Sequence, residues 1–518
     1  MRQGFILSCL LFTTITLANE LPRASEKIGI SLRSFVRPFV TARRADQNVR
    51  QSVLVILKNQ ARLDLTEGFA DKIQRGRFVY DSLRKTALAT QGPLVTFLRS
   101  KKLSFQRFYI MNLIQIENAT PALIEELAAR DDVAKLIANP SIKMSAPSPE
   151  FMIDSLKSDP ALNAIGDNLV SVGAARVWQE LGVRGKGIVV AGQDTGVDWN
   201  HPALKSHYRG NQAGGTVNHN YNWHDSIHKI DTDFHNTVNI PASNPCGYDS
   251  ALPCDDDQHG THTMGTMVGS DGGSNQIGMA PDAQWMACRN MDQGVGTPAR
   301  YIECFEFFLA PYPLGGDAMK DGDPSKSPHV INNSWGCPKS EGCEGGEILP
   351  VLQALMQAGV MVVASAGNDG PNCGTIQDPP AHYTDATLSV GAFNHLTGAI
   401  ASFSSRGPSK FDGGLGPDVV APGVNIRSSV PGGSYAQGGW SGTSMSGPHV
   451  VGEVALLWSA KPALVGNIKE TLEIIRKSSD PKQSTETCGG VAGTQIPNNT
   501  FGYGAINAYK AVTTALEL

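Results

Sequence analysis

Past Val172 the chain runs apolar residues together without alternation, in Gly187-Ile188-Val189-Val190-Ala191, Val330-Ile331-Asn332, Val360-Met361-Val362-Val363-Ala364 and Leu388-Ser389-Val390. A strand with one wet face alternates apolar and polar residues, whereas a strand covered on both faces is apolar throughout. The intervals between these runs leave room for crossover helices. The pattern therefore predicts an α/β fold, a three-layer sandwich with a mainly parallel central sheet.

The region before it has a different pattern. From 52 to 144 the spacing predicts strand, long helix, strand, strand, helix, strand, with Val53-Leu54-Val55-Ile56-Leu57 and Phe108-Tyr109-Ile110-Met111 as strands and 121–130 as a helix. This is a small α+β unit. Residues 145–165, with Ala146-Pro147-Ser148-Pro149 and Ser158-Asp159-Pro160, read as a linker open to cleavage, and 166–518 as the large domain. A chain of 518 residues suits two or three domains. At its start Arg2 precedes an apolar run from Phe5 to Leu17, and Thr16-Leu17-Ala18 offers a small-x-small cleavage site, so residues 1–18 read as a secretory signal peptide. Gly, Pro or charge breaks every later apolar run short of the ~20 residues that span hydrocarbon, so no membrane partner is expected.

The nine cysteines, less Cys9 of the signal peptide, leave Cys246, Cys254, Cys288, Cys304, Cys337, Cys343, Cys373 and Cys488. An even number in an exported chain favours disulfides. Cys246 with Cys254 and Cys337 with Cys343 bracket short loops and read as local pairs, and the other four stay unassigned. A zinc site would want a close CxxC pair, which is missing. Residues 210–257, rich in Asn, Asp, His, Gly and Pro, read as an inserted surface loop. The net charge of -5 comes without a basic stripe interleaved with aromatics, which argues against nucleic acid as a partner.

Four polar blocks interrupt the large domain. Gln193-Asp194-Thr195-Gly196-Val197-Asp198 follows an apolar strand and sets a carboxylate at its carboxyl end, where open α/β sheets build their sites. His259-Gly260-Thr261-His262-Thr263-Met264-Gly265-Thr266 places two histidines among small residues. They are three apart with no glutamate between, which excludes an HExxH zinc helix. Ser365-Ala366-Gly367-Asn368-Asp369-Gly370 follows another strand, and Gly442-Thr443-Ser444-Met445-Ser446-Gly447-Pro448-His449 puts a serine ahead of the helical run 450–458. Each block alone reads as an ordinary turn or helix cap.

Together, in this order, the blocks resemble the signatures of the subtilase superfamily of serine peptidases. The Asp, His, Ser order differs from the His, Asp, Ser order of trypsin-like enzymes. An α/β-hydrolase elbow would need glycine at position 446, where this chain has Ser446. ASFSSRGP (401–408), DVVAPG (418–423) and GYGAINA (502–508) also match, so the resemblance spans roughly Ala174 to Ala515 and looks closest to a bacillopeptidase F-like branch.

The resemblance implies a subtilisin-like sandwich preceded by an inhibitory pro-domain at 52–144. It implies Ser444 as nucleophile, His259 as general base and then acid, and Asp194 as the group that fixes the imidazole tautomer, leaving His262 structural. It further implies Asn368 as an oxyanion donor beside the Ser444 N–H, and Ser334, Trp335 and Gly336 as substrate-binding residues on an edge that pairs with extended peptide. Trp335 stands where an aliphatic residue is commoner. No cofactor is required for the chemistry. The usual calcium site lacks support, because Ala203 in His201-Pro202-Ala203-Leu204 has no side-chain oxygen and the loop 270–277 is short. Asp255-Asp256-Asp257 reads as a solvated loop, with structural calcium as the alternative. The expectation is thus a secreted, monomeric, self-processed serine endopeptidase acting on proteins and peptides, with its own pro-domain as intramolecular inhibitor. The alternatives are a catalytically silent binding protein on the same fold and an α/β-hydrolase-class enzyme.

Overall fold

A computed structural model describes residues 24–42, 49–63, 69, 71–144, 165–212, 214–229, 244–437 and 439–518, with the side chains of 37–42 left aside. The signal peptide expected at 1–18 and linker residues 145–164 lie outside the described residues.

In the small unit, β1 (Gln51–Leu57), β2 (Phe105–Phe108), β3 (Leu113–Ala119) and β4 (Val133–Ala138) form an antiparallel sheet in the order β2-β3-β1-β4. The helices Lys72–Thr90, Gly92–Ser100 and Pro121–Ala128 connect them. Local chemistry sets their starts. Asp71 accepts from the Ile73 N–H, and Thr120 accepts from the Leu123 N–H ahead of a proline in the first turn.

The expected strand 108–111 is not one. Phe108 ends β2, and Tyr109–Asn112 form the turn into β3. An apolar run marks burial and not conformation, and this turn is buried against the large domain. Period-two alternation along β1 sends Val53, Val55 and Leu57 into a core with Leu32, Leu94, Leu98, Leu123 and Leu127. Leu54 and Ile56 face the other way, into a cluster shared with the large domain.

A short β5 (Ile142–Lys143) leaves this unit and joins a three-stranded sheet described below. The central sheet of the large domain contains β6 (Val189–Asp194), β7 (Trp223–Asp225) and β8 (Gln284–Arg289). Two short strands follow, β9 (Met291–Asp292) and β10 (Val295–Gly296), and then β11 (Val330–Asn333), β12 (Met361–Ser365), β13 (Leu388–Phe393) and β14 (Val419–Pro422). Seven of these pair in the order β14-β13-β12-β11-β6-β8-β7, every neighbour parallel. All residues of β6, β11, β12, β13 and β14 are buried, which explains the unalternating runs.

Val190, Val330 and Val363 pack on one side with the helices His259–Val268, Thr443–Ala460 and Ala508–Glu517. Val189, Ile331 and Val362 pack on the other with Pro298–Leu309 and Leu349–Gln357. Three layers result.

From β6 the chain first builds toward β7 and β8, then crosses to β11 on the other flank. The strand order reverses between β6 and β11, the place where a doubly wound sheet opens a crevice at its carboxyl edge. The 210–257 insertion is more than a surface loop, because its β7 completes the sheet. Arg289, fully buried, holds it there with Nε and Nη2 on the two Asp225 oxygens (2.9 and 2.8 Å) and Nη1 on Asp256 (3.0 Å). Among the described residues the disulfides are Cys246–Cys254, Cys288–Cys304, Cys337–Cys343 and Cys373–Cys488.

Candidate active site

Asp194 is the last residue of β6, and His259 starts the helix His259–Val268. Two glycines let these blocks meet. Gly196 has φ +110°, and a Cβ at Gly260 would stand 2.0 Å from the Gly196 carbonyl oxygen. Asp255 ties them further. Its carboxylate accepts from the Thr195 hydroxyl (2.8 Å), the Asp257 and Gln258 N–H groups, and both the N–H and hydroxyl of Thr261. Asp256 is buried on Arg289. At Asp255 and Asp256 the expected solvated run is therefore a structural brace, because their oxygens are engaged by protein donors.

The His259 Nδ1–H lies 2.8 and 3.0 Å from the two Asp194 oxygens, and both side chains are buried. Burial opposes a charge on the ring, but attraction and hydrogen bonding to Asp194, with Asp257 and Asp255 behind, leave its pKa raised. His259 Nε2 has no hydrogen-bond partner. His262 differs. It is fully buried, stacks on Trp440 at 4.5 Å, reaches the Ile426 carbonyl, and is held neutral by burial that lowers its pKa to about 3.

Ser444 lies in the first turn of the buried helix Thr443–Ala460. Pro448 sits four residues on and has no N–H for the Ser444 carbonyl, which accepts instead from the Ser334 hydroxyl at 3.2 Å. In return the Ser444 hydroxyl donates to the Ser334 carbonyl at 3.3 Å and not to His259. Asn368 turns its carbonyl oxygen to the Thr443 N–H and hydroxyl, both 2.9 Å. That leaves its amide N–H groups free. A Cβ at Gly442 would stand 3.7 Å from Asn368 Nδ2 and 3.8 Å from the Ser444 nitrogen, so both donors flank one point.

Strand β5 lies along the cleft. Ile142 and Lys143 pair antiparallel with Gly296 and Val295, and the Met144 N–H donates to the Gly294 carbonyl at 2.8 Å. On its other side the Lys143 N–H donates to Glu341 Oε2 at 3.1 Å. The backbone ladder thus runs on β10, and among the described residues none forms on Ser334–Gly336, because Glu341 of the Cys337–Cys343 loop takes that N–H. The Trp335 indole is buried, stacks on Tyr301 at 3.9 Å, and shares an apolar cluster with Ile142. Neither Glu341 nor the β10 edge stood out in the sequence, since both are ordinary loop residues until a strand lies between them.

A doubly wound sheet that delivers aspartate, histidine and serine to its carboxyl edge in this chain order defines a class of protein, and residues 185–504 match the Subtilase family, to which the chain belongs. Among curated relatives, bacillopeptidase F of Bacillus subtilis (strain 168) is 34% identical over 464 residues, 86% of this chain and 29% of its own length. Subtilisin E of the same strain is 33% identical over 222 residues, 42% of this chain and 50% of its own. The alkaline protease of Shouchella clausii is 29% identical over 373 residues, 67% of this chain and 80% of its own. The chain thus spans under a third of bacillopeptidase F and half of subtilisin E.

Proposed function

We propose that the chain is a secreted serine endopeptidase, made as a zymogen that cuts itself, and working as a monomer on protein and peptide substrates. The observation that carries this reading is the buried Asp194–His259 pair, with Nδ1 engaged and Nε2 without a hydrogen-bond partner. Ser444 Oγ leaves the Ser334 carbonyl, gives its proton to His259 Nε2 and attacks the substrate carbonyl carbon. Such contacts often tighten only once substrate is bound. Asn368 Nδ2–H and the Ser444 N–H receive the oxyanion. The C–N bond then breaks, His259 returns its proton to the leaving amine, and water activated by the same ring hydrolyses the acyl-enzyme. No step needs a cofactor.

Inhibition by residues 52–144 is supported by β5 in the cleft and by Glu306, whose carboxylate accepts from the Tyr109 and Ile110 N–H groups at 2.6 and 2.9 Å. Four disulfides suit an oxidising exterior. A silent binding protein has one observation in its favour, the Ser444 hydroxyl turned from His259. Intact mass, N-terminal sequence and casein hydrolysis of wild type beside Ser444→Ala separate the two. Loss of the first ~144 residues and casein cleavage by wild type alone support the peptidase. Identical processing with no casein cleavage by either supports the binding protein.

A further inference from the structure

An extended strand turns successive N–H groups to opposite edges, and β5 shows where each edge finds its acceptor. On one edge the Met144 N–H donates to the Gly294 carbonyl, in the turn between β9 and β10. The preceding N–H, that of Lys143, points the other way and meets a side chain instead of a second strand, Glu341 Oε2 at 3.1 Å.

The seat of β5 ties it to both halves of the reacting centre. A Cβ at Gly294 would stand 3.5 Å from Asp257 Oδ2, two residues ahead of His259. On the far side Ile142 shares an apolar cluster with Trp335, which follows the Ser334 that exchanges hydrogen bonds with Ser444. A strand laid between these two walls lies on the path of a substrate. Glu341 is also held for its contact. It ends the single turn Lys339–Glu341, and the next residue, Gly342, has φ +104°, which glycine adopts most readily. The buried Cys337–Cys343 disulfide closes the loop around it. A Cβ at Gly342 would stand 3.2 Å from Pro140 Cβ, so the loop comes close to the chain two residues before β5 as well. What Glu341 touches on β5 is a backbone N–H, a group that every residue except proline carries.

We propose that Glu341 is a substrate-binding residue that takes the place of a second backbone strand: its carboxylate accepts the N–H of whichever substrate residue lies where Lys143 lies, so the enzyme selects for an N–H at that position and against proline. The proposal rests on the serine peptidase reading. The grip on this edge of the substrate is then one hydrogen bond from a cross-linked loop, while the β10 edge supplies the ladder.

The test uses the full chain after its own maturation and three peptides that copy residues 138–150. One is all amide, one has an ester oxygen in place of the Lys143 N–H, and one has it in place of the Met144 N–H. The readout is kcat/KM for scission past Met144, resolved by mass. In wild type the Lys143 ester is expected to cost about tenfold, the scale of a hydrogen bond to a charged acceptor. In Glu341→Ala that cost falls toward one, while the Met144 ester costs what it does in wild type, because Gly294 is untouched. A loop that merely lost its order would move both costs together. Glu341→Leu, which keeps bulk without an acceptor, gives the same reading if Glu341→Ala fails to fold. A wild-type cost near one, or an undiminished cost in the variants, overturns the proposal and leaves the peptidase reading standing. No scission of the all-amide peptide by an enzyme whose Ser444 is labelled by a fluorophosphonate also overturns the proposal alone. No scission with Ser444 left unlabelled overturns both.

Discussion

The two sheets of this molecule are stabilised in different ways. The seven-stranded sheet is covered on both faces by helices of its own domain, and all four disulfides lie in that domain. The four-stranded sheet covers one face itself. It lends the other, Leu54 and Ile56 with the Tyr109–Met111 turn, to the helices Pro298–Leu309 and Leu349–Gln357. Its polar ties also reach across. Arg75 donates to the carbonyls of Met356, Gln357 and Gly466 at the end of the helix Leu349–Gln357, where cations suit the helix dipole. Under the proposed self-cleavage, the unit that leaves is the one that completes its core on its neighbour, and the unit that stays carries the cross-links.

The most severe way to break the comparison is to stop the two parts from separating. Ser444→Ala is expected to lower peptide hydrolysis on the order of 10⁶-fold, the scale of nucleophile loss in subtilisin. The variant should also stay full length by intact mass. Asn368→Ala touches the large domain alone. Its kcat should drop on the order of 10²–10³-fold with KM little changed, in steady-state peptide assays.

Glu306→Ala touches only the junction. It strands the Tyr109 and Ile110 N–H groups in a buried interface, at about 1–3 kcal/mol for each unsatisfied group. The lag between cleavage of the chain and full casein activity should shorten by roughly tenfold or more. An unchanged lag would mean the small unit is held by other contacts.

Glu453 sharpens the comparison from inside the large domain. It is fully buried among apolar side chains, and burial pushes it up to about 8, with the Asn507 backbone N–H opposing only in part. The fold holds its proton where the unfolded chain has lost it, so stability is intact in acid and falls as pH climbs toward 8. Glu453→Gln should match wild type near pH 4 and exceed it by about 3 kcal/mol near pH 7 in denaturant unfolding of the matured enzyme. A variant weaker at both pH values would mean that the carboxylate has a further partner.

Much of the large domain was legible because double-sided burial leaves a plain mark. The apolar residues of β6, β11, β12 and β13 run together without alternation for that reason. Strand β8 was not legible, since Gln284 opens it and Arg289 closes it, and Arg289 is buried only because Asp225 and Asp256 arrive from the insertion. Tyr109–Met111 looked like a strand because an interface turn and a strand core share one composition. The short-range cysteine pairs could be read, whereas Cys288–Cys304 and Cys373–Cys488 depend on how distant segments fold back. The reactive blocks were visible as motifs. Glu341 was not, because its meaning lies in the Lys143 N–H that stands next to it.

Pro448 has a consequence beyond its own helix. By freeing the Ser444 carbonyl for the Ser334 hydroxyl, it couples the strand end that borders the substrate to the helix end that carries the reacting oxygen. Grip and reactivity then share one mechanical joint, and redesign of the peptide-facing edge at position 334 also resets the aim of the nucleophile.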